Sequence, residues 1–348
     1  MRHFSIVILL LCLVTGCQQQ KDTTPPWATN SSEDLQQFDL SDIEQTGELI
    51  AVTMYGPDTY YDYHGHHLGA HYLLCEQLAK HLGVQLRMEV CRDSAEMVAR
   101  LEADEADIAV YPFNNDSILF GWKVGDNKPE LISELKQWSQ PDMLDNMKAY
   151  EHRLLTQSRV RHRVYAPMMS KGAISRYDQL FKRHSRTCNW DWRLLAAQCY
   201  QESTFDSNAQ SWAGAKGLMQ IMPGTAEHLG LPKDQIFNPE QNIAAATRLL
   251  RELEHHLSDV RDRNERQNLV LAAYNGGMNH VRDAMRLAER DKRNPHSWND
   301  VRPYILKLSQ REYYQDTLVH YGYMRGQETA EYVDKIRKRY QIYRRSIR

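Results

Sequence analysis

The 348 residues are 42% hydrophobic and 25% charged, ordinary values for a folded chain that exclude collagen-like and disordered classes. Overall net charge is only −2, yet it is unevenly spread. Residues 30–150 carry 8 lysines and arginines against 22 acids, a net of −14, whereas residues 151–348 carry 33 against 22, a net of +11. Length alone predicts about two domains, and the charge split predicts two modules, of which only the second suits an anionic partner. The sequence holds no internal repeat and no Cys-x-x-Cys pair, which argues against solenoids and zinc ribbons.

Arg2 and His3 precede an apolar run from Phe4 to Val14 that is broken only by Ser5. Such a run is too short to span a bilayer as a helix, which needs about 20 residues, and reads as a secretory signal. Val14-Thr15-Gly16-Cys17 resembles a bacterial lipoprotein box. The resemblance implies that residues 1–16 are removed and that Cys17 is lipidated. Gln18, rather than Asp, in the next position implies sorting to the outer membrane, facing the periplasm. Residues 17–39, rich in Gln, Thr, Pro, Ser and Asn, are expected to form a tether. Four cysteines remain in the exported chain: Cys75, Cys91, Cys188 and Cys199. They allow three disulfide connectivities, of which the two short local loops Cys75–Cys91 and Cys188–Cys199 are the expected one, or remain as four buried thiols.

In the acidic half, residues 48–54 (ELIAVTM) read as a buried strand. Residues 69–82 are helical by period, with Gly83 as C-cap, and residues 84–90 alternate as a strand. Ser94 is expected to cap a helix carrying Met97, Val98 and Leu101, and residues 106–111 (ADIAVY) form a third strand. That order predicts an open parallel sheet. His64, His66 and His67 surround Gly65 without an evident fourth ligand, so a solvated loop is expected rather than a metal site.

The segments Pro57-Asp58-Thr59-Tyr60-Tyr61, Leu78-Ala79-Lys80-His81-Leu82-Gly83-Val84 and Ala106-Asp107-Ile108-Ala109 resemble the first lobe of periplasmic solute-binding proteins of the amino-acid type. Phe120–Val124 resembles the returning strand and Pro129–Trp138 the helix after it, so residues 40–150 are expected to be a truncated lobe whose second half is missing. The family places a carboxylate-clamping Arg after the third strand, where this chain has Asn114, Asn115 and Asp116. A docking or regulatory module, with a regulatory protein as partner, is therefore expected in place of an amino-acid receptor.

The basic half opens with a helix over Trp190–Tyr200, with Asp191 as N-cap, that runs into Gln201-Glu202-Ser203. Glu202 falls on the apolar side, in the last turn. Both the helix C-terminus and apolar neighbours raise a carboxyl pKa, as a general acid requires. Gly217-Leu218-Met219-Gln220-Ile221-Met222-Pro223 follows, then a helix start at Asn238-Pro239-Glu240-Gln241. Ala273-Tyr274-Asn275-Gly276-Gly277 ends a further helix, and Glu328-Thr329-Ala330-Glu331-Tyr332-Val333 stands near the C-terminus.

Those four motifs, over roughly residues 174–336, resemble the soluble-lytic-transglycosylase domain. With the lobe and the lipid box, the whole chain resembles the membrane-bound lytic murein transglycosylases in shortened form. The resemblance implies a multidomain fold, α/β plus mainly α: a single solute-binding-type lobe, then an α-helical lysozyme-like domain over residues 151–348 with a basic tail. It implies that Glu202 is the catalytic acid and base, that Ser211 contacts the sugar and that Gln220 and Met222 line an N-acetyl pocket. Tyr274 and Tyr332 position the reacting sugar and Glu202, and Asn275 holds a turn. The implied substrate is the peptidoglycan glycan strand, cut between MurNAc and GlcNAc to give 1,6-anhydro-MurNAc. No metal, no cofactor and no nucleic acid is expected.

Overall fold

The computed structural model describes residues 38–113, 119–157 and 172–347. The signal sequence, Cys17 and nearly all of the tether lie outside the described residues, as do Asn114, Asn115 and Asp116. Asp39 starts the first helix, α1 (Leu40–Thr46), through a capping box with Asp42, and Gly47 ends it in the left-handed conformation. There follow β1 (Glu48–Thr53), the hairpin β2 (Tyr61–Tyr63) and β3 (His66–Leu68), α2 (Ala70–Leu82), β4 (Gln85–Val90), α3 (Ser94–Glu102) and β5 (Ile108–Ala109). β6 (Lys123–Val124), α4 (Pro129–Trp138) and α5 (Met143–Gln157) complete this part.

The sheet runs β4-β1-β5-β6. β1 is parallel to both β4 and β5, while β6 is antiparallel to β5. Alternation sends Leu49, Ala51 and Ile108 to one face, against Leu74 and Leu78 of α2 and Leu131 of α4. Val52 and Ala109 face the other way, against Met97 and Leu101 of α3. Helices on both faces are what a parallel sheet needs to bury both sets of side chains. Lys128 is buried at the edge of this layer, where its Nζ donates to the Phe38 carbonyl (2.7 Å) beside Asp104 (3.1 Å) and Asp107 (3.4 Å).

The second part is helical: α6 (Asp178–Cys188), α7 (Trp192–Ser203), α8 (Pro223–His228), α9 (Pro239–His256) and α10 (Arg263–Gly276). Then come α11 (Met278–Arg290), α12 (Trp298–Lys307), α13 (Arg311–Tyr314) and α14 (Gly326–Ser346). Asp191, Asn238 and Asp262 cap α7, α9 and α10 with their side chains. One core joins Leu194 and Leu195 of α7, Ile243 and Leu250 of α9, Leu269 and Ala272 of α10, and Val333 and Ile336 of α14. α7 lies between α6 and α14, so the helix carrying Glu202 is held on both flanks.

Several expectations change. Asp93, not Ser94, caps α3, because its carboxylate reaches the N–H of Glu96 (2.9 Å). The sheet is not wholly parallel: the returning strand is the two-residue β6, after a turn at Leu119–Gly121. The expected solvated histidine loop is the β2–β3 hairpin, and part of it docks on the helical half. All four described cysteines are free thiols rather than disulfides. The Cys188 thiol donates to the Ser185 carbonyl (3.6 Å) and that of Cys199 to Leu218 (3.4 Å), so the two face different neighbours. Burial pushes the Cys188 thiol up to about 12 and Cys75 and Cys199 higher still, which suppresses the thiolate that oxidation requires.

The two halves meet along tyrosines. Tyr61 donates to Glu151 of α5 (2.7 Å) and packs edge-on against Tyr323 at 5.0 Å. Gly322 lies flat on Tyr55, just beyond β1. A Cβ there would sit 2.2 Å from the Tyr55 ring, so only glycine allows this approach. In open α/β sheets, ligands bind beyond the carboxyl ends of the strands. In this protein the chain around Tyr314 and Gly322 reaches that end of β1, near Gly56 and Tyr55.

Candidate active site

α7 stops abruptly because Thr204 (φ 51°) and Phe205 (φ 64°) are both left-handed, which leaves Glu202 in the last turn with its side chain directed into a cleft. Ser203, beside it, donates to the Leu218 carbonyl (2.7 Å) and ties the helix end to the following turn. That turn is built around Asn242, a fully buried residue of α9. Its amide donates to the carbonyls of Lys216 (3.0 Å) and Ile236 (2.8 Å), and its oxygen accepts from the N–H of Met219 (2.8 Å). Gly217 (φ 79°) is required here, since a Cβ would lie 2.5 Å from the Asn242 amide.

The cleft has a volume of about 570 Å³, and its lining includes Glu202, Ser211, Gln220, Met222, Tyr274, Asn275 and Tyr332. Every site residue singled out in the basic half therefore reaches one place. Ser211 closes its own turn, its hydroxyl accepting from the N–H of Ala215 (3.0 Å). The Gln220 amide donates to Gly217 (2.9 Å) and Ala209 (3.2 Å), and the Tyr274 hydroxyl donates to Met219 (2.8 Å). Asn275 accepts from the Thr329 hydroxyl (2.8 Å), which joins the end of α10 to the start of α14.

At the floor of the cleft Tyr332 donates to Glu202 Oε1 at 2.5 Å, and Gln198 donates to the Tyr332 oxygen at 3.3 Å. The Tyr332 hydroxyl, pushed well above its usual value by burial and by Glu202, stays protonated, so it donates to Glu202 while accepting from Gln198. That bond favours the carboxylate, but loss of solvation outweighs it, and the Glu202 carboxyl is pushed up to about 8. At neutral pH this favours the protonated form. The carboxyl edge still opens on the cleft, so a substrate atom can reach the proton.

The other acids of the cleft are paired. Glu328 accepts from Arg325 (2.7 Å) and from Tyr63 (2.8 Å), and Glu331 accepts from Gln327 (2.7 Å) and Lys335 (2.8 Å). Asp206 turns its carboxylate to the N–H of Asn208 (3.0 Å). Among the described residues, no group of three histidines, cysteines or acids is arranged to hold a metal ion.

Sequence reasoning gave no role to Gln198, Asn242, Thr329, Trp212 or Tyr63, and read His64 only as part of a solvated loop. The first two leave a signal, being polar residues on the apolar stripes of α7 and α9. The hairpin leaves none, because its place in the cleft depends on how the halves dock.

Residues 179–297 match the family model of the Transglycosylase SLT domain. Membrane-bound lytic murein transglycosylase F of Desulfosudis oleivorans is 40% identical over 169 residues, covering 49% of this chain and 36% of that protein. The protein of the same name from Shewanella sp. strain ANA-3 is 39% identical over 167 residues, covering 48% of this chain and 34% of that one. The chain thus spans about a third of the curated relatives it matches. A solved structure of the lytic transglycosylase Slt from Pseudomonas aeruginosa aligns at 22% identity and a TM-score of 0.35, covering 63% of this chain and 27% of that one.

Proposed function

We propose that the protein is a peptidoglycan lytic transglycosylase in which Glu202 serves as acid and then as base. The observation that carries this reading is the Glu202 carboxyl, hydrogen-bonded by Tyr332 at the floor of a cleft lined by the SLT-motif residues and pushed up by loss of solvation. Glu202 gives its proton to the glycosidic oxygen between MurNAc and GlcNAc as the C1–O bond breaks. The N-acetyl carbonyl of MurNAc stabilises the developing cation. The ionised Glu202 then takes the proton of the MurNAc C6 hydroxyl, whose oxygen closes on C1. Proton and bonds balance, and the product is 1,6-anhydro-MurNAc without consumption of water.

Hydrolases of the retaining and inverting kinds generally use a second carboxylate. Glu328, Glu331 and Asp206 are engaged elsewhere, which favours the intramolecular route. In this reading Ser211, Gln220 and Met222 contact the sugar and its N-acetyl group, while Tyr274 and Tyr332 orient sugar and acid and Asn275 holds its turn. Tyrosine suits the task because its flat face packs on a pyranose ring while its hydroxyl bonds. The basic charge of residues 151–348 matches a polymer bearing stem-peptide carboxylates.

The proposal extends to the rest of the chain. Cys17 would anchor the protein by lipid to the outer membrane on the periplasmic side. The lobe of residues 40–150, similar to half of a solute-binding protein, would act as a docking module rather than an amino-acid receptor. Occupation of the strand ends near Tyr55 by the Gly322 segment supports this. Digestion of purified peptidoglycan followed by mass spectrometry tests the chemistry: anhydro-MurNAc ends are expected, and reducing ends heavier by one water would replace this reading with a hydrolase.

A further inference from the structure

The β2–β3 hairpin belongs to the acidic lobe, yet it reaches the cleft. Tyr63 and His64 line it together with Trp212 of the helical half. Tyr63 lies parallel to Trp212, with planes 6° apart and centroids at 6.0 Å. His66 packs on the same indole at 5.6 Å, and its Nε2–H donates to the Ala213 carbonyl (2.6 Å). The Tyr63 hydroxyl is fixed by Glu328 (2.8 Å), and the Arg325 guanidinium sits 5.6 Å from the Tyr63 ring. Trp212 is thus gripped by two rings from the other half while still lining the cleft.

The hairpin tip carries a second, independent sign. His64 (φ 48°) and Gly65 (φ 74°) are the two central residues of a two-residue turn, and both are left-handed. Turns of this kind favour Asn-Gly or Asp-Gly, and histidine is among the residues that accept the left-handed region. The His64 imidazole stands exposed at the edge of the cleft, where the nearby protein favours the neutral ring. A neutral imidazole both donates and accepts, as sugar hydroxyls and N-acetyl groups require.

We propose that Trp212 and His64 form a saccharide-binding wall of the cleft, with Tyr63 and His66 as positioning residues that hold the indole. The acidic lobe would then supply part of the glycan site. This rests on the transglycosylase reading for the identity of the glycan, but binding can be measured apart from cleavage. The test uses the chain in a Glu202→Gln background, with affinity for purified peptidoglycan glycan strands as readout. Trp212→Ala is expected to weaken binding roughly tenfold and His64→Asn roughly threefold, the scale of one stacked ring and one hydrogen bond.

His64→Asn keeps or raises the melting temperature, since asparagine suits the turn, so its loss of affinity cannot come from unfolding. Tyr63→Phe retains the ring over Trp212 and is expected to bind nearly as wild type, whereas Tyr63→Ala is expected to follow Trp212→Ala. Unchanged affinity in His64→Asn and Trp212→Ala overturns the proposal. Tighter binding in either would mark the hairpin as an obstruction and overturns it equally. If the chain with Glu202 intact releases no anhydro-MurNAc ends, the proposed activity fails, while the affinity series still decides whether the wall binds glycan.

Discussion

The helical half and the α/β lobe reach the cleft by different means. In the helical half, Glu202, Gln220, Tyr274 and Tyr332 come from four separate segments, and each is fixed by contacts inside that half, such as Tyr274 to Met219 and Tyr332 to Glu202. The lobe contributes through a hairpin tip whose contacts are almost all with the other half. The end of its sheet that would bind a ligand in an open α/β fold is approached by the Gly322 segment. A site assembled within one half leaves strong motifs, while a wall lent across an interface leaves almost none.

The sharpest way to break this comparison is at the acid. Glu202→Gln keeps the size and removes the proton donor, so cleavage is expected to fall by about 10³-fold while glycan binding persists. Near-normal turnover of that variant, measured by release of soluble muropeptides, would move the chemistry to another residue. In the lobe, the largest expected effect is on stability rather than chemistry. Lys128→Ala leaves Asp107 buried without its cation and is expected to cost about 3–5 kcal/mol, read by thermal or denaturant unfolding. A loss under 1 kcal/mol would mean that the charge cluster does not hold the lobe edge.

Gly217→Ala tests the turn behind the acid. The new methyl would strike the Asn242 amide and the Ile236 carbonyl, and a destabilisation of about 2 kcal/mol or more is expected. Activity should fall in parallel, because Met219 and Gln220 hang from this turn.

The pH profile gives the smallest but most specific signal. With the Glu202 carboxyl pushed up to about 8, cleavage should decline above that pH, approaching about tenfold per pH unit. The same shift has a stability consequence with a definite sign. Between the ordinary carboxyl value near 4.5 and about 8, the folded chain holds a proton that the unfolded chain releases, so stability falls as pH rises through that window. Glu202→Gln should therefore be more stable than the wild type at pH 8. About 1–2 kcal/mol is expected once solvent access from the cleft is allowed for. Equal stability of the two at pH 8 would show that burial does not hold the proton.

Much of the scaffold was legible because it is local. Asp191, Asn238 with Pro239, and Gly83 announce the ends of α7, α9 and α2 by capping chemistry that depends on few neighbours. The apolar run of residues 48–54 and the alternation in 84–90 named the two strands that pair in register. The two-residue β6 carries too little pattern to show its direction, and the fate of four cysteines turns on geometry that spacing does not fix.

By itself the sequence determined which residues are candidates for chemistry: a carboxylate on the apolar side of a helix end, two tyrosines, and a glycine-bounded turn with Gln220 and Met222. Residue type and local period fix those properties wherever the segments lie in space. Only the tertiary structure decided how far the Glu202 carboxyl is pushed up, because that depends on the solvent the fold removes, set against the opposing hydrogen bond from Tyr332, 130 residues away in the chain. It also decided that Tyr63 and His64, from the acidic half, stand beside Trp212, since docking of two surfaces is a long-range property that no local pattern encodes.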